Sequence, residues 1–255
     1  MKQFALLVLI CTLGAQALPH HTPYIINGQP SAHQPYNAYV RYLNAANAGF
    51  FGGGSIISDR HILTAAQNIL GFVRWEIGLA SNIYAQLSML TTTTATAHPN
   101  FNSATRANDI GIVTLVNSLV FSSTIYPITL PSLQESLQVP LENEQGTILG
   151  FGFTSGQSTA TSDVLMRSLQ RVTTNARCQQ HYQITLPNHF CAEDTIEGSN
   201  ICHGDLGAGF VTYVQGSQTL TGIASLVTQT CGNTAPTGYV RILQYRQWIQ
   251  QMTGV

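Results

Sequence analysis

The sequence predicts an all-β body that is closed by one C-terminal α-helix. Short segments rich in β-branched and aromatic residues, as at residues 39–42, 111–115 and 220–224, are typical of strands. Clusters of Gly, Asn, Ser and Pro separate them, and the 22 glycines fit a chain with many turns. The helix is predicted from apolar residues that recur at spacings of three and four. They are Ile242, Tyr245, Trp248, Ile249 and Met252.

The first 17 residues have the three regions of a secretory signal peptide. Lys2 precedes an unbroken apolar run, and small residues at positions 15 and 17 mark a cleavage site. The run is too short to span a bilayer. The alternative is a buried N-terminal helix, although this composition rarely starts a soluble domain. We therefore expect a secreted, extracellular protein with a short propeptide-like segment at residues 18–24 and one domain at residues 25–255.

Charge is sparse, at 8% of residues, and Lys2 is the only lysine. Without the signal peptide, the chain has nine arginines and eleven acidic residues, so its net charge is about −2. Nucleic acids and anionic membranes are bound by clustered basic residues, and the sequence has no such cluster. We expect a monomer with no cofactor and with neither nucleic acid nor membrane as a partner.

Four cysteines remain once the signal peptide is removed, and an even number in a secreted chain indicates two disulfides. The sequence alone leaves three pairings open. Zinc binding is the alternative, but no CxxC or HxxxH spacing supports it. No metal site is therefore predicted.

Six segments follow one another in the order found in one enzyme family. They are IINGQ (25–29), GGSII (53–57), LTAAQN (63–68), HPNFN with NDIGIV (98–102 and 108–113), CHGDLGAG (202–209) and GYVRILQYRQWI (238–249). With these segments in register from Ile25 to the C-terminal helix, the chain resembles a chymotrypsin-like serine protease domain of the trypsin family. The resemblance implies two six-stranded antiparallel β-barrels, at about residues 25–125 and 126–240, with a cleft between them.

The resemblance also shows which catalytic groups this chain lacks. In such enzymes a serine attacks the substrate carbonyl, a histidine takes its proton and a buried aspartate orients the histidine. Asp109 matches the aspartate, but Gln67 stands in place of the histidine and Leu206 in place of the serine. Leucine has no nucleophilic atom, and a glutamine amide does not titrate near neutral pH. Loss of either group costs about 10⁶ in turnover in a comparable triad.

Neither of two nearby histidines matches the position of the missing base. His61 precedes Gln67 by six residues in the same predicted strand, and His203 follows Cys202 on the expected pocket rim. Partly exposed polar side chains are the simpler interpretation of both. The alternative function is an active hydrolase, with an elastase-like preference for small side chains, that uses an unorthodox set of residues.

Other parts of the family's machinery are kept. Gly204 and Leu206 match the residues whose N–H groups form the oxyanion hole, which binds the substrate carbonyl oxygen. Asp205 matches the acid that receives a new N-terminal amine after activation, and Ile25 matches the residue that supplies it. Asp205 is alternatively a simple turn residue. Tyr24 replaces the usual basic residue before the cleavage point, so either the segment stays attached or an enzyme that prefers aromatic residues removes it.

The same alignment identifies the specificity pocket. Asn200 falls at its base, and Val227 and Thr237 fall on its walls, where many relatives have glycines. Branched walls shorten the slot, so a bound side chain should be small. Alternatively, these residues fill a pocket that is no longer used. Ser225 matches a serine that supports the aspartate.

The family's disulfides imply the pairs Cys178–Cys191 and Cys202–Cys231. Two other common bridges are missing, and both ends have been replaced each time. Gly52 and Asn68 stand at one, and Gly146 and Thr212 stand near the other. The fold is thus kept while the catalyst is lost. We expect a catalytically inactive protease homologue that binds a protein or peptide partner.

Overall fold

The computed structural model describes residues 25, 27–135, 139–153, 161–184, 187–196, 198–228 and 235–255. The predicted signal peptide, residues 18–24 and Cys231 lie outside this part of the chain, so the expectations for them stay predictions. Among the described helices, none has the length and apolar character needed to cross a membrane.

Most of the described chain is antiparallel β-structure. The strands found in it are β1 (Gln29–Pro30), β2 (Asn37–Leu43), β3 (Gly49–Ile56), β4 (His61–Thr64), β5 (Arg74–Leu79), β6 (Ser88–Thr92), β7 (Thr94–Ala97), β8 (Gly111–Thr114), β9 (Gln145–Gly150), β10 (Met166–Val172), β11 (His189–Glu193), β12 (Gly209–Val214), β13 (Ser217–Leu226) and β14 (Thr237–Arg241). They form two sheets.

The sheet from the second half of the chain closes into a barrel. Its order is β10-β11-β14-β13-β12-β9, and β9 pairs with β10 as well as β12, so six strands form a ring. β1 adds to the free end of β10 through Gln29 opposite Arg167 and Pro30 opposite Met166. The N-terminal segment is therefore attached to the second barrel.

The other sheet has the order β6-β5-β2-β3-β4-β8-β7. Its two outermost strands follow one another in the chain with only Thr93 between them, so they act as one bent strand that wraps the sheet round. The prediction of two antiparallel barrel-like sheets with a C-terminal helix is confirmed.

A shared apolar core fixes one barrel against the other. Each barrel has its own interior, with Val40 and Ile77 in the first and Phe190 and Phe210 in the second. A third cluster contains side chains of both barrels and of the C-terminal helix, including Leu63, Ile112, Leu149, Val240 and Ile249. Burial of these side chains holds the two barrels together and so positions the cleft between them.

Two α-helices accompany the barrels in the described residues: α1 (Asn175–Tyr182) and α2 (Arg246–Thr253). α2 buries Ile249, as the sequence predicts, but the predicted helix begins as a 3₁₀ turn at Ile242–Tyr245, and Met252 is 43% exposed near its end. α1 adds to the predicted architecture. The sequence pattern did not predict this helix because it lacks an apolar face, and Cys178 is its one buried residue. The Thr174 side chain caps its first turn.

Candidate functional site

The side chain of Gln67 is presented by a short turn at the barrel interface. β4 ends at Thr64, and residues Ala66–Asn68 form a single 3₁₀ turn in which the Asn68 N–H donates to the Ala65 carbonyl (3.1 Å). The small residues Ala65 and Ala66 are fully buried and allow this turn to pack closely. Gln67 is half-buried and faces Asp109 of the β7–β8 connection.

Gln67 and Asp109 make two hydrogen bonds to each other. The Gln67 backbone N–H donates to Asp109 Oδ1 (2.9 Å), and Gln67 Nε2 donates to Asp109 Oδ2 (2.5 Å). Nε2 also donates to the Ser225 carbonyl (3.0 Å). A carboxylate and a carbonyl can only accept, so the amide nitrogen must face both of them. The amide oxygen therefore points away from Asp109.

Asp109 keeps its hydrogen-bond donors although no histidine is present. It is fully buried, and the Ser225 hydroxyl donates to Oδ2 (2.7 Å) beside the two bonds from Gln67. Burial raises the pKa of Asp109 above its ordinary value, against the lowering effect of these hydrogen bonds and of the nearby Arg106 charge. The glutamine thus occupies the hydrogen-bonding place of a histidine without being able to carry a proton to a substrate.

Asn68 ties the turn that carries Gln67 to the loop that carries Leu206. Asn68 Nδ2 donates to the Leu206 carbonyl (2.8 Å) and to the Thr64 hydroxyl (3.1 Å), and the Gly53 N–H donates to the same Leu206 carbonyl (2.9 Å). Gly52 leaves the space for this amide, because a Cβ there would lie 2.7 Å from Asn68 Nδ2. The resemblance places a missing disulfide between residues 52 and 68. In this chain the Asn68 side chain forms hydrogen bonds instead, and Gly52 leaves room for it.

The loop at residues 203–207 presents two open backbone donors. The His203 carbonyl accepts from the Phe153 N–H (3.0 Å), and the Asp205 carbonyl accepts from the Ala208 N–H (3.0 Å). In a trans peptide the C=O and the following N–H point in opposite directions. The N–H groups of Gly204 and Leu206 therefore point away from these partners, and within the described residues neither has an acceptor. Gly204 has a φ of +96°, which favours glycine at this place.

The Asp205 side chain is fully buried beneath this loop. Backbone N–H groups donate to its carboxylate, from Gly152 to Oδ1 (2.8 Å) and from Cys202 to Oδ2 (3.0 Å). Burial raises the pKa of Asp205 to about 7, although both hydrogen bonds act in the opposite direction. Ile25 is also fully buried, with a φ of +54° that is strained for a β-branched residue.

The predicted specificity pocket has a polar base that is bonded within the protein. Asn200 Nδ2 donates to the Ala235 carbonyl (2.8 Å), and the Thr237 hydroxyl donates to Asn200 Oδ1 (2.8 Å). Val227 packs against the interior of the second barrel. The hydrogen bond between Asn200 and Thr237 places two of the three predicted pocket residues side by side and engages the Asn200 oxygen.

Sequence and structure comparisons identify the family. The protein-family profile described as Trypsin matches residues 25–249. The chain belongs to the trypsin family. It is 32% identical to a protein named collagenase from Hypoderma lineatum, over 87% of this chain and 83% of that protein. It is 29% identical to a chymotrypsin from Phaedon cochleariae, over 89% of this chain and 81% of that protein. A solved structure of HL collagenase superposes with a TM-score of 0.80 at 30% identity, over 90% of this chain and 99% of that one.

The predicted disulfides of this trypsin-family chain are partly observed. Cys178 in α1 is bonded to Cys191 in β11, with 5.6 Å between their Cα atoms. Cys202 is also disulfide-bonded, and its predicted partner Cys231 lies outside the described residues. The described residues contain no cluster of three or more His, Cys, Asp or Glu side chains that could hold a metal ion.

The neighbouring histidines of this trypsin-family site lie away from Asp109. His61 begins β4, and its Nδ1 is 2.8 Å from the Ser58 hydroxyl. His203 is exposed at the surface. Sequence reasoning found Gln67, Asp109 and Leu206 but missed Asn68 as a bonding group. The paired replacement of residues 52 and 68 was the signal that marked it.

Proposed function

We propose that this trypsin-family protein is a secreted, catalytically inactive homologue that binds a protein or peptide in its cleft. The observation that carries the proposal is the Gln67 amide, which donates to both Asp109 and the Ser225 carbonyl. An amide bonded in this way cannot accept a proton from a nucleophile, and Leu206 offers no nucleophile. At these two positions of the family pattern, no side chain can perform the proton transfer or the covalent attack.

The cleft keeps groups that suit an uncleaved peptide. The open N–H groups of Gly204 and Leu206 are donors for a carbonyl oxygen. Gln67 Oε1 has no hydrogen-bond donor in the described part of the chain, and the residue is half-buried, so its oxygen offers an acceptor for an N–H group. A peptide bond supplies one carbonyl and one N–H. By analogy with inactive homologues, such binding would serve to regulate a protease cascade, to act as a decoy or to mediate adhesion.

The second candidate is an active endopeptidase with a preference for small side chains. It is favoured by the branched pocket residues Val227 and Thr237, and by relatives named as collagenase and chymotrypsin. It would require a nucleophile and base other than those of the family pattern.

A peptide panel distinguishes the two candidates. The purified protein should bind peptides by calorimetry and release no product by mass spectrometry. Asp109→Asn is the matched variant, since loss of this carboxylate lowers turnover about 10⁴-fold in a working triad. Turnover that survives purification of the wild type and falls in Asp109→Asn would contradict the inactive assignment.

A further inference from the structure

A second candidate site lies where the N-terminal segment crosses the second barrel. A cavity of about 400 Å³ opens there, and none of its lining residues belongs to the cleft. We name it the Arg167 cavity. The lining residues on which its chemistry depends are Gln34, Tyr36, Leu149, Arg167, Val211 and Gln218.

Arg167 gives the cavity a positive charge that no ion pair of the described residues neutralises. It lies in β10, and its Nη2 donates to Gln29 Oε1 (2.7 Å). The ion pairs found among the described residues join other arginines to Glu76 and Glu193, and none includes Arg167. A guanidinium has five N–H donors, and its fork matches the two oxygens of a carboxylate. Most of its donor capacity is therefore available to a ligand.

Tyr36 brings a hydroxyl group to the same cavity. The residue is 7% exposed, and within the described chain its hydroxyl makes no hydrogen bond. Burial, followed by the neighbouring Tyr213, raises the pKa of Tyr36, so the group remains a neutral O–H donor. A hydroxyl that makes no hydrogen bond within the described chain keeps its O–H available to a ligand in the cavity.

The rest of the lining favours an organic body. Leu149 and Val211, which are otherwise buried, contribute apolar side chains to the lining, and Gln34 and Gln218 contribute polar ones. A volume of about 400 Å³ is within the range of small-molecule sites in proteins. A cation, a neutral hydroxyl donor and an apolar wall together match an anionic head with a short hydrocarbon tail.

We propose that the Arg167 cavity binds an organic carboxylate, with its oxygens on Arg167 and Tyr36 and its hydrocarbon part on Leu149 and Val211. The carboxylate belongs either to a free small acid or to the C-terminus of a peptide chain. The site is independent of the cleft, so its test does not depend on the inactive assignment.

Calorimetry with four probes tests the ligand chemistry on the wild-type chain. Hexanoate should bind, whereas hexanamide, which has the same tail without the charge, should bind at least roughly tenfold more weakly. Inorganic phosphate should also be weaker, because it has no apolar part. An acetylated dipeptide ending in leucine identifies the source of the carboxylate. If it binds more tightly than hexanoate, the natural ligand is the C-terminus of a peptide chain; if it binds more weakly, the natural ligand is a free small acid. Either result supports the site. Equal binding of hexanoate and hexanamide, or of hexanoate and phosphate, would overturn the proposal, as would no binding of either carboxylate at about 10 mM.

Three variants test the residues. Arg167→Gln should weaken hexanoate binding by roughly tenfold or more, whereas Arg177→Gln, which removes an arginine paired with Glu193 elsewhere, should not change it. Tyr36→Phe should weaken binding severalfold and leave the melting temperature of the unliganded protein unchanged or higher, because the hydroxyl has no partner to lose. Unchanged affinity in Arg167→Gln, or a clear fall in the melting temperature of Tyr36→Phe, would contradict the assignment.

Discussion

The cleft and the Arg167 cavity differ in how their polar side chains are satisfied. In the cleft, Asp109, the Asn68 amide nitrogen and Asn200 all bond within the protein. In the cavity, the Tyr36 hydroxyl and most of the Arg167 guanidinium have no hydrogen-bond partner among the described residues. The comparison teaches that polar side chains bonded within the protein support the scaffold, whereas polar groups without a partner mark capacity for a ligand. In the cleft that capacity lies at the Gln67 oxygen and the backbone donors; the Asn68 side-chain oxygen also has no partner among the described residues, but it is fully buried.

The largest effect is expected when a histidine and a serine are introduced at the two positions of the cleft where the family has them. Gln67→His combined with Leu206→Ser should raise peptidase activity at least about 100-fold above the wild type, since each missing group costs up to about 10⁶ in a working triad. A histidine N–H would replace the Gln67 amide in the bond to Asp109. The measurement is the hydrolysis of small peptide substrates.

Each single variant of this pair is the control and should stay inactive, because nucleophile and base act as a unit. A folded double variant without activity would show that the cleft differs from that of an active enzyme at more than these two positions. It would weaken the description of the cleft in this comparison.

A smaller effect is expected from the buried acid under the oxyanion loop. The pKa of Asp205 rises from its ordinary 3.8 to about 7, so the unfolded chain loses this proton at a lower pH than the folded one. Stability from this group is complete below pH 3.8 and decreases as the pH rises to about 7, by a few kcal/mol at most. Urea unfolding of the wild type and of Asp205→Asn across this pH range measures the contribution. The difference in unfolding free energy between the two proteins belongs to Asp205 alone, whereas the lowered pKa of His189 changes the stability of both in the opposite direction.

The covalent state of the chain decides whether this slope appears. If the Tyr24–Ile25 bond is cut, the new amine can neutralise Asp205, and the strain at Ile25 is released. N-terminal sequencing of the secreted protein gives the state: a start at Leu18 predicts the falling slope, and a start at Ile25 predicts its loss. A falling slope in a protein that starts at Ile25, or no slope in one that starts at Leu18, would refute this account of Asp205.

The smallest effect is expected at Asn68. Asn68→Ala removes the donor to the Leu206 carbonyl and the Thr64 hydroxyl, so the free energy of unfolding should fall by about 1–2 kcal/mol. Asn117→Ala, at an exposed asparagine, should cost almost nothing. Equal urea midpoints for the two variants would mean that Asn68 does not tie the loops together.

Much of the fold was predictable because its signals are local. β-Branched segments, turn residues and the spacing of apolar residues before and within α2 each predict structure over a few neighbours. Helix α1 was not predictable in this way, since a capping residue and a disulfide define it rather than an apolar face.

The sequence by itself determined that Gln67 and Leu206 lack a base and a nucleophile, because those are properties of single side chains. Only the tertiary structure decided what these positions do instead. Asn68 meets Leu206 across 138 residues, and Gln67 meets the Ser225 carbonyl across 158. The Arg167 cavity likewise joins the N-terminal segment to strands of the second barrel. A hydrogen bond requires closeness in space, and only the shared core of the two barrels brings such distant residues together.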